Sequence, residues 1–83
     1  MDRTPNITLR QLRTFEAVAR LRSFSRAAQG LHLSQPTVSL QVKQLTEAIG
    51  MPLLDHSHRA LGPTEAGLLV AETAREAGRL LES

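Results

Sequence analysis

The segment between Ser34 and Pro52 places the strictest limit on how this chain can fold. Ser34 is a favoured N-cap residue, and Pro36 suits the first turn of a helix, where a missing N–H costs nothing. Gly50 is typical of the residue that ends a helix, and Pro52 forbids its continuation. Between these signals an apolar side chain recurs at steps of four, three and four residues, at Val38, Val42, Leu45 and Ile49. The sequence therefore predicts a helix from about residue 35 to residue 49, with one narrow apolar stripe.

Three other segments carry similar helix signals. Thr8 can cap a first helix that runs to about Arg22, with apolar residues at steps of three and four on one face. Ser23 and Ser25 are both possible caps of a short second helix, which must stop before the third one begins. Thr64 can cap a fourth helix that continues to near the C-terminus. The chain is therefore predicted to be mainly helical.

Residues 53–63 separate the third helix from the fourth. They are too few for a helix and two strands, but enough for a small two-stranded ribbon with its turn near residues 57–60. Residues 24–42 satisfy the packing demands of a helix-turn-helix, with the small Ala28 where the two helices cross and His32 in the turn. We therefore predict a mainly α winged helix-turn-helix with a small two-stranded β wing and a C-terminal linker helix.

Composition narrows the possible functions. A chain of 83 residues forms one domain at most, and the absence of cysteine excludes disulfides and cysteine-ligated metals. No apolar run approaches the length of a membrane span and no signal peptide is evident, so we expect a cytoplasmic protein without a membrane partner.

Charge is distributed unevenly along the chain. Residues 1–63 hold eight Lys/Arg and four Asp/Glu, whereas residues 64–83 hold two Lys/Arg and four Glu. This basic first part indicates either an anionic partner such as nucleic acid or an ordinary solvated surface.

The outer face of the predicted third helix carries side chains that can recognise bases. With the apolar stripe turned to the core, Pro36, Ser39, Leu40 and Lys43 point away from it, and Gln35 lies beside them. Gln35 can pair with adenine and Lys43 with guanine or phosphate, while Leu40 or Pro36 can contact a thymine methyl group. These residues indicate either a helix that enters a major groove or a solvent face with one isolated leucine.

Four residues outside that face can contact the DNA backbone or minor groove. Arg10 lies near a helix start and can reach a phosphate. Ser25 and Arg26 can meet a phosphate at the start of the second helix, where free N–H groups favour anions, or act only as a cap and a solvated charge. Arg59 lies on the predicted ribbon tip and can enter a minor groove. We interpret the other arginines of the first helix as solvated charge: Arg13, Arg20 and Arg22.

The predicted fourth helix has an apolar seam with heptad spacing. Its members are Ala66, Val70, Thr73, Ala77 and Leu80. Such a seam can face a second copy of the chain or cover the domain's own core. Because a helix that extends beyond a small globule has little core to cover, we expect a homodimer. The alternative function is a protein–protein interaction module that reads no DNA.

The run from Asp55 to His58 suggests two enzymatic interpretations. Catalytic Ser/His/Asp sets are built in a preorganised pocket with an oxyanion hole, whereas Asp55, His56 and Ser57 are adjacent on a predicted ribbon tip. His56 and His58 share a strand face, but a third zinc ligand has no obvious source. We therefore expect neither an enzyme nor a metal or cofactor site.

Several runs of residues resemble the N-terminal part of LysR-type bacterial transcriptional regulators. They are residues 9–19, 23–28, 33–39 and 61–67, together with the pairs Gln44-Leu45, Ile49-Gly50 and Leu53-Leu54. The resemblance covers residue 8 to about residue 80. More loosely, residues 8–20 and 42–45 resemble the subgroup that controls carbon-fixation operons.

The resemblance implies an architecture and a set of partners. It places a winged DNA-binding domain at residues 1–63 and a linker or dimerisation helix at residues 64–83. The family's C-terminal domain, which binds a small-molecule effector, is absent from these 83 residues. Members bind double-stranded DNA as dimers, usually assembled into tetramers, at interrupted palindromes.

The resemblance also assigns roles to particular residues. Base contacts are implied for Gln35, Pro36, Thr37, Ser39, Leu40 and Lys43, and a wing contact for Arg59. Contacts to the DNA backbone are implied for Ser25, Arg26 and Ser34. Many members carry arginine where this chain has Leu40, and leucine cannot donate a hydrogen bond, so the base preference at that position is expected to differ.

Overall fold

A computed structural model describes residues 6–56 and 60–82 of the chain. Within these ranges the elements are α1 (Leu9–Leu21), α2 (Phe24–Leu31), α3 (Gln35–Ile49), β1 (Leu54–Asp55), β2 (Gly62–Pro63) and α4 (Glu65–Glu82). The two strands pair in an antiparallel sheet, with Leu54 opposite Pro63 and Asp55 opposite Gly62. The predicted fold, a mainly helical winged helix-turn-helix with a small two-stranded sheet, is confirmed. In the described ranges, no helix is both long and apolar enough to cross a membrane.

Local capping explains where the first three helices begin. Thr8 and Gln11 form a capping box, in which each side chain accepts a hydrogen bond from the other residue's backbone N–H. The Ser23 hydroxyl accepts a hydrogen bond from the backbone N–H of Arg26 at 3.0 Å, so Ser23 rather than Ser25 caps α2. Ser34 caps α3 in the same way, as predicted.

Two tight corners separate these helices. Arg22 and His32 both take a left-handed backbone conformation, with φ of 53° and 57°. His32 therefore adopts the conformation that the turn of a helix-turn-helix requires, although it lacks the freedom of glycine. α1 ends one residue before the predicted Arg22, because Arg22 is the left-handed C-cap.

The core lies where α1 packs between the other helices. Phe15 and Val18 of α1 are fully buried, as are Val38 and Leu45 of α3 and Leu53 just before β1. Two polar contacts also join α1 to α3: Thr14 donates a hydrogen bond to Oε1 of Gln41, and Nε2 of Gln11 donates to Oε1 of Gln44 at 3.3 Å. We call these two contacts the polar seam.

The start of α4 is fixed against the chain that precedes the wing. The Thr64 hydroxyl donates to the carbonyl oxygen of Pro52 at 2.7 Å and accepts from the N–H of Gly67 at 3.0 Å. The backbone of Gly67 lies so close to Leu53 that a Cβ there would sit 2.1 Å from the Leu53 carbonyl oxygen. Glycine is therefore required at this crossing, where α4 meets the core.

Candidate nucleic-acid interface

The outer face of α3 is built as the sequence predicts. Val38 and Val42 are buried, which fixes the rotation of the helix about its own axis. Leu40 is 53% exposed on the opposite side. The remaining exposed side chains of this face are Gln35, Pro36, Ser39 and Lys43. The structure thus brings five of the six predicted base-contacting residues onto one exposed surface.

The sixth residue, Thr37, has a different position. It is half-buried, and its hydroxyl shares a 2.7 Å hydrogen bond with the hydroxyl of Ser34. The backbone N–H of Thr37 also donates to the Ser34 hydroxyl at 3.3 Å. Ser34 and Thr37 therefore hold the first turn of α3 in place, and their local contacts are structural.

The start of α3 is also favourable for an anion. Its first turn contains no acidic residue, so no negative charge opposes the positive end of the helix dipole. The acidic residue of this helix, Glu47, lies near the other end. Free N–H groups and a positive dipole end at the start of a helix are suited to phosphate.

Arg10 and Arg13 lie on a groove beside the start of α3. Their side chains line it from α1, and Thr37 and Gln41 line it from α3. The sequence predicted a phosphate contact for Arg10 but only solvated charge for Arg13. Arg13 is exposed, in agreement with that interpretation, and its spacing of three residues from Arg10 places both arginines on the same face of α1.

Arg22 is the second residue whose surroundings the sequence did not indicate. Its Nη1 lies 3.3 Å from the position that a Cβ on Gly62 would occupy, so its guanidinium lies on the face of strand β2. Arg22 therefore connects the corner between α1 and α2 to the wing. No sequence pattern links these two positions, which are brought together by the fold.

The residues predicted to contact the DNA backbone or minor groove differ in how the structure describes them. Ser25 and Arg26 are exposed at the start of α2, where a phosphate can approach them. Arg59, predicted to enter the minor groove, lies outside the described residues, as do Ser57 and His58. His56 is exposed. The described residues contain no group of three His, Cys, Asp or Glu side chains that could hold a metal ion.

The residues of the predicted seam of α4 are partly packed on the core and partly exposed. Ala66 and Val70 are half-buried and pack against the chain's own core. Ala77 is half-buried, whereas Thr73 and Leu80 are exposed, Leu80 by 77%. Only the outer part of the seam is therefore open to a second copy. The large exposed residues of α4 that the seam did not include are Leu68, Leu69 and Leu81.

Comparison with known proteins agrees with this geometry. The family model "Bacterial regulatory helix-turn-helix protein, lysR family" matches residues 9–68. The RuBisCO operon transcriptional regulator of Allochromatium vinosum is 50% identical over 76 residues, which cover 92% of this chain and 25% of that protein. The RuBisCO operon transcriptional regulator of Acidithiobacillus ferrooxidans is 53% identical over 60 residues, which cover 72% of this chain and 19% of that protein.

A solved structure shows the same fold. The crystal structure of the BenM DNA-binding domain in complex with catB site 1 DNA matches with a TM-score of 0.84 and 33% sequence identity, over 90% of this chain and 83% of that chain. This chain spans a quarter or less of the length of the two regulators above. Both are named as transcriptional regulators and not as enzymes. The chain belongs to the LysR family of bacterial regulatory helix-turn-helix proteins.

Proposed function

We propose that the chain is the DNA-reading part of a LysR-type transcriptional regulator that acts in the cytoplasm on double-stranded DNA. It binds an interrupted palindrome as a homodimer, with α3 in the major groove and the wing at the minor groove. The observation that carries this proposal is the outer face of α3. That face is exposed, has hydrogen-bonding side chains in its N-terminal half, and is held in one rotation by the core beneath it.

The exposed residues of α3 take different roles in this proposal. Gln35 and Ser39 lie one turn apart on the half of the helix that enters the groove, so they read base edges. Lys43 lies one turn further along and is placed for guanine or for a phosphate. Arg10 and Arg13 lie on the groove beside the start of α3 and contact the DNA backbone.

The names of the relatives support a proposal for the target, and the family resemblance supports one for the remaining assembly. Two regulators of RuBisCO operons are about half identical to this chain, so we propose that it binds at a carbon-fixation operon. In the whole protein, residues 1–63 form the DNA-binding domain and residues 64–83 the linker helix. A further domain then binds a small-molecule effector, and two dimers join as a tetramer.

Selection of bound sequences from a random DNA pool tests the proposed reading directly. A residue that touches base edges changes which sequence is preferred, by about 1–3 kcal/mol for a good contact. We therefore expect Gln35→Ala and Ser39→Ala to relax the preference at particular positions. Lys43→Ala, if its partner is a phosphate, lowers affinity for all sequences and reduces the salt slope by about one unit. Unchanged preferences in both Gln35→Ala and Ser39→Ala would show that another face reads the DNA.

A salt titration separates this function from the alternative, a protein–protein module that reads no DNA. Phosphate contacts make the logarithm of affinity fall linearly with the logarithm of salt concentration. We expect a slope of several units for the wild-type chain. An absence of duplex binding at both low and moderate salt would favour the interaction module instead.

A further inference from the structure

An ion pair between distant parts of the chain joins α4 to α1. Nη1 of Arg75 lies 3.3 Å from Oε2 of Glu16, and the two residues are 59 positions apart. Nε of Arg20 lies 3.2 Å from the same oxygen, one turn along α1. The Glu16 side chain is only 15% exposed, so water screens this pair less than a fully exposed one. In the described part of the chain, Glu16–Arg75 is the ion pair that connects α4 to another helix.

The Glu16–Arg75 pair has a particular position along α4. Up to Arg75, α4 is held by the close crossing of Gly67 at Leu53 and by the buried side chains of Ala71 and Ala74. After Arg75 no described residue is fully buried, and the last turn is exposed. The pair therefore lies at the end of the fully buried part of α4, beside a groove that the last turns of α4 line together with α1.

α1 connects this point to the reading helix. α1 packs on α3 through Phe15 and Val18 and through the polar seam, and it packs on α4 beside Glu16. The angle between α3 and α4 therefore depends on how each helix is fixed to α1. Glu16 and Arg75 lie outside the outer face of α3, so a substitution at either one changes no residue of that face.

We propose that Glu16 and Arg75 are positioning residues that determine the spacing of the two DNA half-sites. The inference rests on the proposed dimer, in which α4 of each copy contacts the other. Half-sites one helical turn apart are about 34 Å apart, and one base pair advances about 3.4 Å along the axis. At that distance a tilt of about 6° moves a reading helix by one base pair. Holding α4 to within a few degrees therefore selects one spacer length.

The test is a DNA library in which two copies of the selected half-site are separated by spacers of every length over one helical turn. We expect the wild-type chain to prefer one spacer. In Arg75→Ala and Glu16→Gln the ratio of affinities for that spacer and for its neighbours one base pair away falls by about two- to fivefold, within the range of a partly exposed ion pair. The base preference within each half-site stays unchanged, because α3 is untouched.

Arg20→Ala is the matched control. It removes the other arginine from the same carboxylate oxygen but leaves the link between α1 and α4, so its spacer profile stays that of the wild type. The charge reversal Glu16→Arg with Arg75→Glu, made in the Arg20→Ala background so that two arginines do not repel each other one turn apart, restores the preferred spacer. A merely structural role would instead lower affinity for all spacers alike, in step with the melting temperature.

Two results would overturn the proposal in different ways. If Arg75→Ala and Glu16→Gln both keep the wild-type spacer profile, or if Arg20→Ala broadens it equally, the pair does not determine spacing and the dimeric function stands. If the wild-type chain binds single half-sites with no spacer preference, the dimeric function fails and this inference fails with it.

Discussion

At the scale of single residues, Leu40 is the large apolar side chain on the outer face of α3. It is 53% exposed on a surface whose other members, apart from Pro36 one turn earlier, are polar. In the major groove the apolar feature of a base pair is the 5-methyl group of thymine. A leucine at this position therefore favours a contact with that methyl group, where arginine would favour guanine.

Replacement of thymine by deoxyuridine tests this contact one base at a time. Burying one methyl group contributes about 0.8 kcal/mol, so we expect about a fourfold loss of affinity at one thymine of the half-site. Leu40→Ala should remove the sensitivity at that base, and Leu40→Arg should create a preference for guanine. The measurement is equilibrium binding to each substituted duplex.

Leu68→Ala is the control, because Leu68 is 52% exposed but lies on α4, away from α3. It should respond to deoxyuridine as the wild type does. If wild type and Leu40→Ala respond equally at every thymine, Leu40 reads no methyl group.

Single residues differ in how well their surroundings could be predicted. The caps Thr8 and Ser34 were predicted because a cap is a contact with residues two or three positions away. Arg13 and Arg22 were interpreted as solvated charge and both are exposed, but Arg13 also lines the groove beside α3 and the Arg22 guanidinium lies beside β2. Their neighbours lie more than 20 positions away in sequence, so no local pattern could reveal them.

At the scale of whole elements, α4 is unusual because it buries small residues and exposes large apolar ones. Its buried residues are small, namely Gly67, Ala71 and Ala74, whereas its leucines are exposed. Small side chains allow α4 to approach α1 and Leu53 closely, and larger ones would hold it away. This explains why the predicted seam was centred on a face that is partly buried: the apolar pattern alone does not distinguish the small residues that pack from the large ones that remain outside.

Two glycines of α4 give a matched test of this packing. A Cβ at Gly67 would lie 2.1 Å from a backbone oxygen, while a Cβ at Gly78 would meet nothing within 4 Å. We expect Gly67→Ala to lower the free energy of unfolding by about 1–3 kcal/mol, the usual cost of overpacking, or more. Gly78→Ala should raise it by about 0.5–1 kcal/mol, because alanine favours a helix interior. Urea denaturation measures both, and an equal effect of the two substitutions would contradict the close crossing.

The first and last residues of the helices were predicted more accurately than which side of α4 is buried. α3 has the predicted limits because Ser34 and Gly50 define both ends locally. The ribbon was predicted only as a small two-stranded unit between the third and fourth helices, and its strands are two residues each. Such short strands are held by the chain that enters and leaves them, at Leu53 and Thr64, rather than by any pattern of their own.

At the scale of the whole molecule, the exposed leucines of α4 favour an assembly. Leu69 and Leu80 lie near one side of the helix, and both are more than half exposed in the single chain. Two large exposed leucines on one side of a helix are available to a partner, although exposed Glu72, Thr73 and Glu76 lie between them on that side. In the proposed dimer these leucines contact the second copy and link the two reading helices.

Leu80→Glu tests this assembly with little risk to folding, since Leu80 is 77% exposed. We expect the variant to sediment as a monomer and to lose more affinity for a paired site than for a single half-site, because the second half-site is no longer tethered. Leu68→Glu, on a different side of α4, should remain dimeric. Val70→Glu is a poorer test, because Val70 packs on the core and its charge would destabilise the fold. A wild-type chain that sediments as a monomer at high concentration would contradict the dimer.

The polar seam between α1 and α3 has a consequence for the accuracy of reading. Burial of Val38 and Val42 already limits the rotation of α3, and the side-chain hydrogen bonds from α1 to Gln41 and Gln44 add a directional restraint to it. Side-chain tips lie about 5 Å from a helix axis, so a roll of about 20° displaces them by about 2 Å. A hydrogen bond tolerates only about 0.5 Å of variation in length. In the proposed complex, Gln41 and Gln44 therefore help to hold Gln35 and Ser39 at one rotation relative to the bases, although neither glutamine needs to contact DNA.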